Sequence, residues 1–558
     1  MNEPLEQLSS AYWEFLSRSQ PIGASLRGDH RFDDQIDDMT RNAEDEMITA
    51  LDSFASRAEA IDPGSLSADE QVTREVLLFE ASTHADELRS RLAEFAVDPS
   101  MGAHIVLLQL IPALPITEQP HADALVDRYA KFGELFDQMI GRLRQGIARQ
   151  RTPSRTPVEK SISQLDDYLA SDIADDPFIV GPGAPEVFDE AAIADWRETL
   201  TDVVTRVVRP AYAAYRSALV DEVLPKARPD ERCGVRWIED GEVVYQRAIR
   251  RYTTLDLAPL DIHQIGLDEI AGLAAEYLQL GGSALGLHDL PQIFEHLRTD
   301  PALRFTNAEE VREAAKEAMD RARAAMPEWF GRLPVADCVM AEIGGGAEEA
   351  PLGYYLPPAT DGSRPGSYYI NTSEPTTRTR YESEALAFHE SIPGHHLQLA
   401  IAQELEGIPE FRKHANVTAY VEGWGLYTER LADEMDLYSS DVTRLGMASF
   451  DSWRAGRLVV DSGMHALGWS RQEAIDYLTT NTPQAPNNIE AEVDRYIGWP
   501  GQALGYKLGQ REIFRLRAAA QNRMGEAFDI KGFHDAVLDS GPVPLSTLER
   551  LVNGWATG

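Results

Sequence analysis

Three of the chain's thirteen histidines and one glutamate fall within eight residues, His389-Glu390-Ser391-Ile392-Pro393-Gly394-His395-His396. Imidazole nitrogens are good zinc ligands, and a carboxylate beside one of them is placed to move a proton of water, so the cluster points to a catalytic metal site. The familiar pattern for that chemistry is His-Glu-x-x-His on a helix, with the two histidines one turn apart on a shared metal. The spacing here is longer. In a regular helix a residue six positions on is rotated by about 240° beyond a full turn, which carries His395 off the face of His389. His396, seven on, returns to that face but stands about 10.5 Å further along the axis, too far for two nitrogens that must each lie about 2 Å from one ion.

Pro393 and Gly394 offer a way out. Proline has no N–H to give to the carbonyl of His389, and glycine accepts backbone angles that other residues resist. An outward bulge at these two residues brings His395 to the place of the last letter of the shorter pattern. His389 and His395 are therefore the expected ligands of one zinc ion per chain, with Glu390 moving the proton and His396 behind the metal or in the substrate pocket. Helix formers on both sides, Glu382–Leu386 and Leu397–Glu404, indicate a helix that is interrupted and then resumes. A helix that stops at Pro-Gly, followed by two solvated histidines, would read similarly.

Zinc with two histidines needs a third protein ligand and an open position. Glu422, in Tyr420-Val421-Glu422-Gly423-Trp424-Gly425-Leu426-Tyr427, sits among apolar and small residues where a carboxylate needs a positive partner, and it is the expected third ligand. Glu429, two turns on, is the alternative, and pairing of Glu422 with an arginine or lysine is the other reading.

These segments resemble a large bacterial family long labelled only as a domain of unknown function and placed among zincin-type metallopeptidases of the Glu-zincin pattern. Its signature is similar to His-Glu-x-x-Pro-Gly-His, then Glu-Gly-Trp, then Pro-Gly-Gln-Ala-Leu-x-Tyr, and these occur in order at His389–His395, Glu422–Trp424 and Pro500–Tyr506. Upstream, Tyr245–Ile249, Thr253-Thr254 and Ile262–Leu267 resemble the family too, so the likeness runs at least from Tyr245 onward. In that family the position matching His396 varies, which favours His395 as the second ligand. The resemblance implies no substrate.

The residue types themselves suit hydrolysis of an amide: zinc would lower the pKa of its bound water, and Glu390 would take the proton and pass it to the leaving amine. The oxyanion so formed calls for a donor besides the metal. In related helical zinc peptidases this is often a tyrosine on a late helix, and Tyr506 is the expected one, although a half-buried core tyrosine would look the same. Gln502 and Arg495 are further candidates for substrate contacts. Ahead of the histidine cluster, Gly353–Pro358 and Ser367–Thr372 read as short strands around a turn at Asp361–Gly366. A free strand edge there would let an extended peptide pair, with Tyr369 and Asn371 lining it, unless the pair is a plain structural hairpin.

The elements that must hold these groups are mostly helical. Leu5–Leu16, Ser67–Phe95, Ala122–Arg149, Val158–Leu169 and Ala191–Leu224 carry apolar residues at helical spacing, with Pro-rich breaks such as Pro112–Pro120 and Asp176–Pro185. Val243–Tyr252 and Val335–Ile343 read as strands. A charged stretch at Pro225–Cys233 suggests an N-terminal helical region, 1–228, and a zinc-binding catalytic region, 229–558, with a boundary that is nominal if the two pack as one body. The expected fold is mainly α, a large two-lobed zincin-like arrangement of the helical zinc oligopeptidase kind, with a small sheet beside the zinc helices and a deep cleft.

Composition sets outer limits. The 558 residues, 43% of them hydrophobic, suffice for a large core. No run of eighteen apolar residues occurs, so no membrane span is expected. Met1–Glu6 is acidic and lacks a basic-then-apolar signal, which makes cytoplasmic placement the expectation. Cys233 and Cys338 are too few for a disulfide framework. A net charge of −39, from 52 basic and 91 acidic residues, repels phosphate backbones and argues against nucleic acid as a partner. It leaves open whether cationic substrates are favoured. A helical wall around the site favours short peptides or small amides as substrates. Hydrolysis of a non-peptide amide or ester is the competing enzyme reading, and a non-catalytic binding protein on the same fold is a third, against which the uncoordinated Glu390 speaks.

Overall fold

Apolar positions at three- and four-residue spacing dominate the chain, and helices dominate the computed structural model, which describes residues 2–111, 114–343, 352–358 and 364–558. The first half of the expected turn at Asp361–Gly366, residues 361–363, and the start of the Pro112–Pro120 break lie outside those residues. Helices Glu3–Ser19, Arg41–Glu59 and Ala68–Arg89 open the fold, the last started by a capping box in which Ser67 and Glu70 satisfy each other's backbone N–H groups. The 122–149 stretch forms two helices, Gln119–Ala130 and Phe132–Ala148. In the 191–224 stretch the helix continues through two wider π-type turns, Val204–Val208 and Leu219–Val223. Pro210 follows the first of these, where its missing N–H cannot close a regular turn.

Val243–Tyr252 is not a strand. It lies within the helix Gly241–Thr253, which buries Val244, Tyr245, Ile249 and Tyr252 and leaves Val243 exposed. The spacing of the buried set is helical, and the clustered β-branched and aromatic residues reflect the packing of one helix face, not a pleat.

Apolar contacts cross residue 228. One core joins Leu8, Val76 and Ala81 near the start of the chain to Phe388, Trp424, Leu516 and Leu548. A second is drawn from residues 97–223, around Tyr129, Phe136 and Tyr212. The sheet has three strands, β1 (Cys338–Glu342), β2 (Gly353–Leu356) and β3 (Gly366–Ile370), in the order β1-β3-β2. β3 pairs parallel to β1 and antiparallel to β2, with Tyr369 opposite both Ala341 and Tyr354. The central strand therefore has no free edge. Among the described residues no helix is long and apolar enough to cross a membrane.

Four helices meet at the histidine cluster: Ser383–Glu390, His395–Gln403, Thr418–Glu434 and Leu504–Met524. The last two cross at glycines, where a Cβ on Gly423 would lie 2.6 Å from the backbone of Gly509. Backbone contact at that crossing is what seats the Glu-Gly-Trp segment against the helix that carries Tyr506. Behind them runs Asp441–Ser462, buried at every position from Leu445 to Ser462.

Candidate metal centre

The histidine segment forms two helices joined by a four-residue turn, not one helix with an outward bulge. Ser391 ends the first helix, with its N–H and hydroxyl both donating to the Ala387 carbonyl. The His396 N–H then reaches back to the Ser391 carbonyl at 3.0 Å. The turn fits only glycine at position 394, because a Cβ there would lie 1.9 Å from the His389 carbonyl oxygen. Trp424 fixes the turn from outside, its indole N–H donating to the Pro393 carbonyl at 3.0 Å. The Ile392–Pro393 peptide is cis.

The consequence is convergence. The His389 and His395 rings meet edge to face with centroids 4.6 Å apart. Both Nε2 atoms approach Oε2 of Glu422, at 3.6 Å from His389 and 3.5 Å from His395. One ligand atom from each of the three residues lies within 4.8 Å of the others. Donors on a tetrahedral zinc stand about 3.3 Å apart, so two imidazole nitrogens and a carboxylate oxygen fit that ion in kind and in spacing. Burial alone would raise the Glu422 pKa, but hydrogen bonds and charge from the two histidines hold it well below the usual carboxylate range. Burial likewise works against a charge on His389, and the hydrogen bonds of Glu422 and Glu429 outweigh it and lift its pKa to about 9.

Glu429 is not a competitor of Glu422 but its complement. Its Oε1 lies 2.8 Å from Nδ1 of His389, the nitrogen turned away from Glu422. The two glutamates stand seven residues apart, on one helix face, and the imidazole lies between them over Gly425, where an added Cβ would meet the ring at 2.7 Å. An oriented imidazole of this kind presents Nε2 to a metal in one direction only.

Glu390 lines the cavity in front of the three donors, and burial raises its pKa while the two histidines pull it down. The cavity is large, about 1920 Å³, with walls drawn from residues 87–177 and 251–506. Tyr506 lines it as well. Burial first, and then the negative charge of Glu422, raise the Tyr506 pKa, and the Arg457 guanidinium lies 4.5 Å from its ring. Gln502 and Arg495 also line the cavity, but they bond to each other at 2.7 Å, and Arg495 is further paired with Glu492.

Three residues for which a substrate contact is one of two expectations do not line the cavity. His396 is buried away from the cavity, with Nε2 donating to the Ala336 carbonyl at 3.1 Å and Nδ1 accepting from the Tyr355 hydroxyl at 2.8 Å. Burial lowers its pKa to about 4, so it stays neutral and pins the sheet to the second histidine helix. Tyr369 stacks on Tyr354, centroids 4.9 Å apart, on the central strand. Asn371 is buried, and its Oδ1 accepts from the backbone N–H and hydroxyl of Ser373, closing a turn. The strand that faces the cavity is β2, through Gly353, Tyr354 and Tyr355. Sequence reasoning passed over Arg454 and Arg457, which stand three apart on the stretch of helix from Leu445 to Ser462 that is buried at every position.

A second group of possible ligands, His30, Asp33 and His121, gathers far away in sequence. Its two rings stack at 3.8 Å and 12°, so their nitrogen lone pairs run side by side and do not converge. Nδ1 of His30 is already bonded to Asp33.

Among solved structures, the chain is similar to a candidate lipoprotein from Colwellia psychrerythraea, with a TM-score of 0.92 and 27% identity over 99% of each chain. A candidate lipoprotein of unknown function from Shewanella oneidensis shares the fold, with a TM-score of 0.74 and 18% identity over 98% of this chain and 99% of that one. No curated protein matches the chain. The family model described as bacterial protein of unknown function (DUF885) matches residues 21–552, nearly the whole length, and the chain belongs to that family.

Proposed function

We propose that the chain is a zinc-dependent hydrolase of amide bonds, a metallopeptidase of the zincin kind acting on short peptides in the cleft. The observation that carries this reading is the convergence of His389, His395 and Glu422 with an additional carboxylate, Glu390, left beside them at the cavity wall. A purely structural metal site has no use for that extra carboxylate. A zinc ion held by the three donors would supply Lewis acidity, polarising a substrate carbonyl and making a water easier to deprotonate. Glu390, its pKa raised by burial, takes the water's proton and then returns it to the departing amine. Glu429 keeps the His389 ring aimed, and Tyr506 offers its hydroxyl to the oxygen of the attacked carbonyl. The cavity exceeds what a single small metabolite fills, which favours peptides of a few residues over a compact non-peptide amide.

The test is Glu390→Gln beside His389→Ala and Glu422→Ala, with metal content and turnover measured on a panel of short peptides and non-peptide amides, with and without chelator. The reading expects about one zinc per chain in the wild type and in Glu390→Gln, turnover of peptides by the wild type alone, and loss of both properties in the other two variants. Wild-type protein that takes up no zinc, or Glu390→Gln that keeps full turnover, overturns it.

A further inference from the structure

Arg454 sits on the buried helix Asp441–Ser462, is 5% exposed, and lines the cavity. Its Nε and Nη1 are buried without a hydrogen-bond partner among the described residues. The carboxylate paired with it, Glu429, comes no nearer than 3.9 Å to Nη2. The flat faces of the guanidinium are occupied, by the rings of Phe450 at 4.4 Å and Trp453 at 4.6 Å, so the group is held rigidly. The neighbouring arginines are better supplied, with only Nη1 of Arg457 left without a partner. Arg457 donates to Tyr496 and Glu492, and Arg495 to Glu492 and Gln502. A guanidinium has five N–H donors and cannot shed its charge, so one taken out of water with its donors unused is costly unless an anion completes it.

The location narrows which anion. Glu429, which Arg454 faces, also accepts from His389, and the charge of Arg454 is felt by Glu390. Arg454 and Glu390 line one cavity, so an anion received by Arg454 shares that cavity with the bond to be cut. Eight basic and eight acidic residues line the cavity, in a chain whose totals are 52 and 91, so its wall lacks the acidic excess that would repel an anion. A planar, rigid fork of donors matches a carboxylate better than it matches a neutral carbonyl. We propose that Arg454 receives the free C-terminal carboxylate of the substrate, so that the protein is an exopeptidase that removes residues from the C-terminus of short peptides. This rests on the hydrolase reading above and adds to it the end of the peptide that is recognised.

The probes are N-acetyl-L-alanine, N-acetyl-L-leucine and N-acetyl-L-phenylalanine, each against its C-terminal amide, titrated calorimetrically into full-length protein stripped of metal so that no carboxylate can sit on an ion. At least one acid is expected to bind about ten- to a hundredfold more tightly than its amide, the size of a charged hydrogen-bonding contact. Arg454→Met should bring that ratio close to one, and Arg454→Lys should restore part of it. A merely structural role for Arg454 would change zinc affinity or stability and leave the ratio alone. If no acid binds more tightly than its amide to the wild type, a comparison that needs no variant, or if Arg454→Met keeps the preference, the inference fails. Zinc content and turnover are read separately on the metal-loaded protein, so failure here is distinct from failure of the hydrolase reading.

Discussion

Gly425→Ala is the most pointed perturbation of the site that leaves every polar group in place. The added methyl would stand 2.7 Å from Cε1, 2.8 Å from Nε2 and 3.0 Å from Nδ1 of His389, whereas ordinary contact begins at 3.4 Å. The ring must therefore retreat by about 0.7 Å, against a tolerance of about 0.2 Å for metal–ligand bonds. It cannot follow freely, because Glu429 holds Nδ1 at 2.8 Å and the His395 ring stands edge to face with it. Displacement at more than three times the tolerance should weaken zinc binding at least about a hundredfold, or about 2.7 kcal/mol. The helix itself gains from the change, since alanine is favoured over glycine in a helix interior by about 1 kcal/mol. Competition against a chromogenic chelator measures the affinity, and thermal unfolding checks the fold. Gly141→Ala, at a helical glycine with nothing within 4 Å of the added methyl, is the matched control and should bind zinc like the wild type. Folded Gly425→Ala protein with a zinc Kd within twofold of the wild type would refute the account of how His389 is aimed.

Glu429→Gln keeps the shape but weakens the partner of His389 Nδ1, and zinc affinity measured by the same competition should fall about ten- to a hundredfold. His396→Gln should leave zinc affinity within twofold while costing about 1–3 kcal/mol in denaturant unfolding, because its two hydrogen bonds tie the sheet to the helix; a large loss of zinc would make it a ligand after all. Asp461, fully buried beneath the Pro500-Gly501 turn and bonded by Tyr245 and the Gly501 N–H, has its pKa raised by burial from 3.8 to about 7. A carboxyl that binds its proton more tightly when folded stabilises fully below the unfolded pKa and loses that contribution as pH rises through the folded one. Between pH 4 and 7 the stability of Asp461→Asn should therefore gain on the wild type by up to about 4 kcal/mol; parallel stability curves would contradict the shift.

The donor set was legible because few residue types can hold zinc and because the Pro-Gly break is local: Pro393 and Gly394 betray a disrupted helix wherever they stand. The form of the break was not, since two helices and a bulged one share the same residues and differ in where the His396 N–H finds its acceptor. Glu422 could be read from its apolar company. The role of Glu429 could not, because it depends on an imidazole from another helix lying across Gly425. Tyr369 and Asn371 were misplaced for a non-local reason: strand order β1-β3-β2 puts the last strand of the hairpin in the middle, and no feature of Ser367–Thr372 announces that β1 will pair with it. Val243–Tyr252 misled because β-branched and aromatic residues were given more weight than their spacing. Arg454 escaped notice because an arginine on a helix is ordinarily at the surface, and only the burial of every residue from Leu445 to Ser462 makes it unusual.

The central claim is that three side chains grip one zinc ion. Anomalous scattering recorded on either side of the zinc edge, from crystals of zinc-loaded protein, tests it directly. The account predicts a single strong peak about 2.0–2.2 Å from Nε2 of His389, Nε2 of His395 and a carboxylate oxygen of Glu422. A peak at His30, Asp33 and His121 with none at these three residues, or bound zinc that leaves His395 or Glu422 uncoordinated, would contradict it.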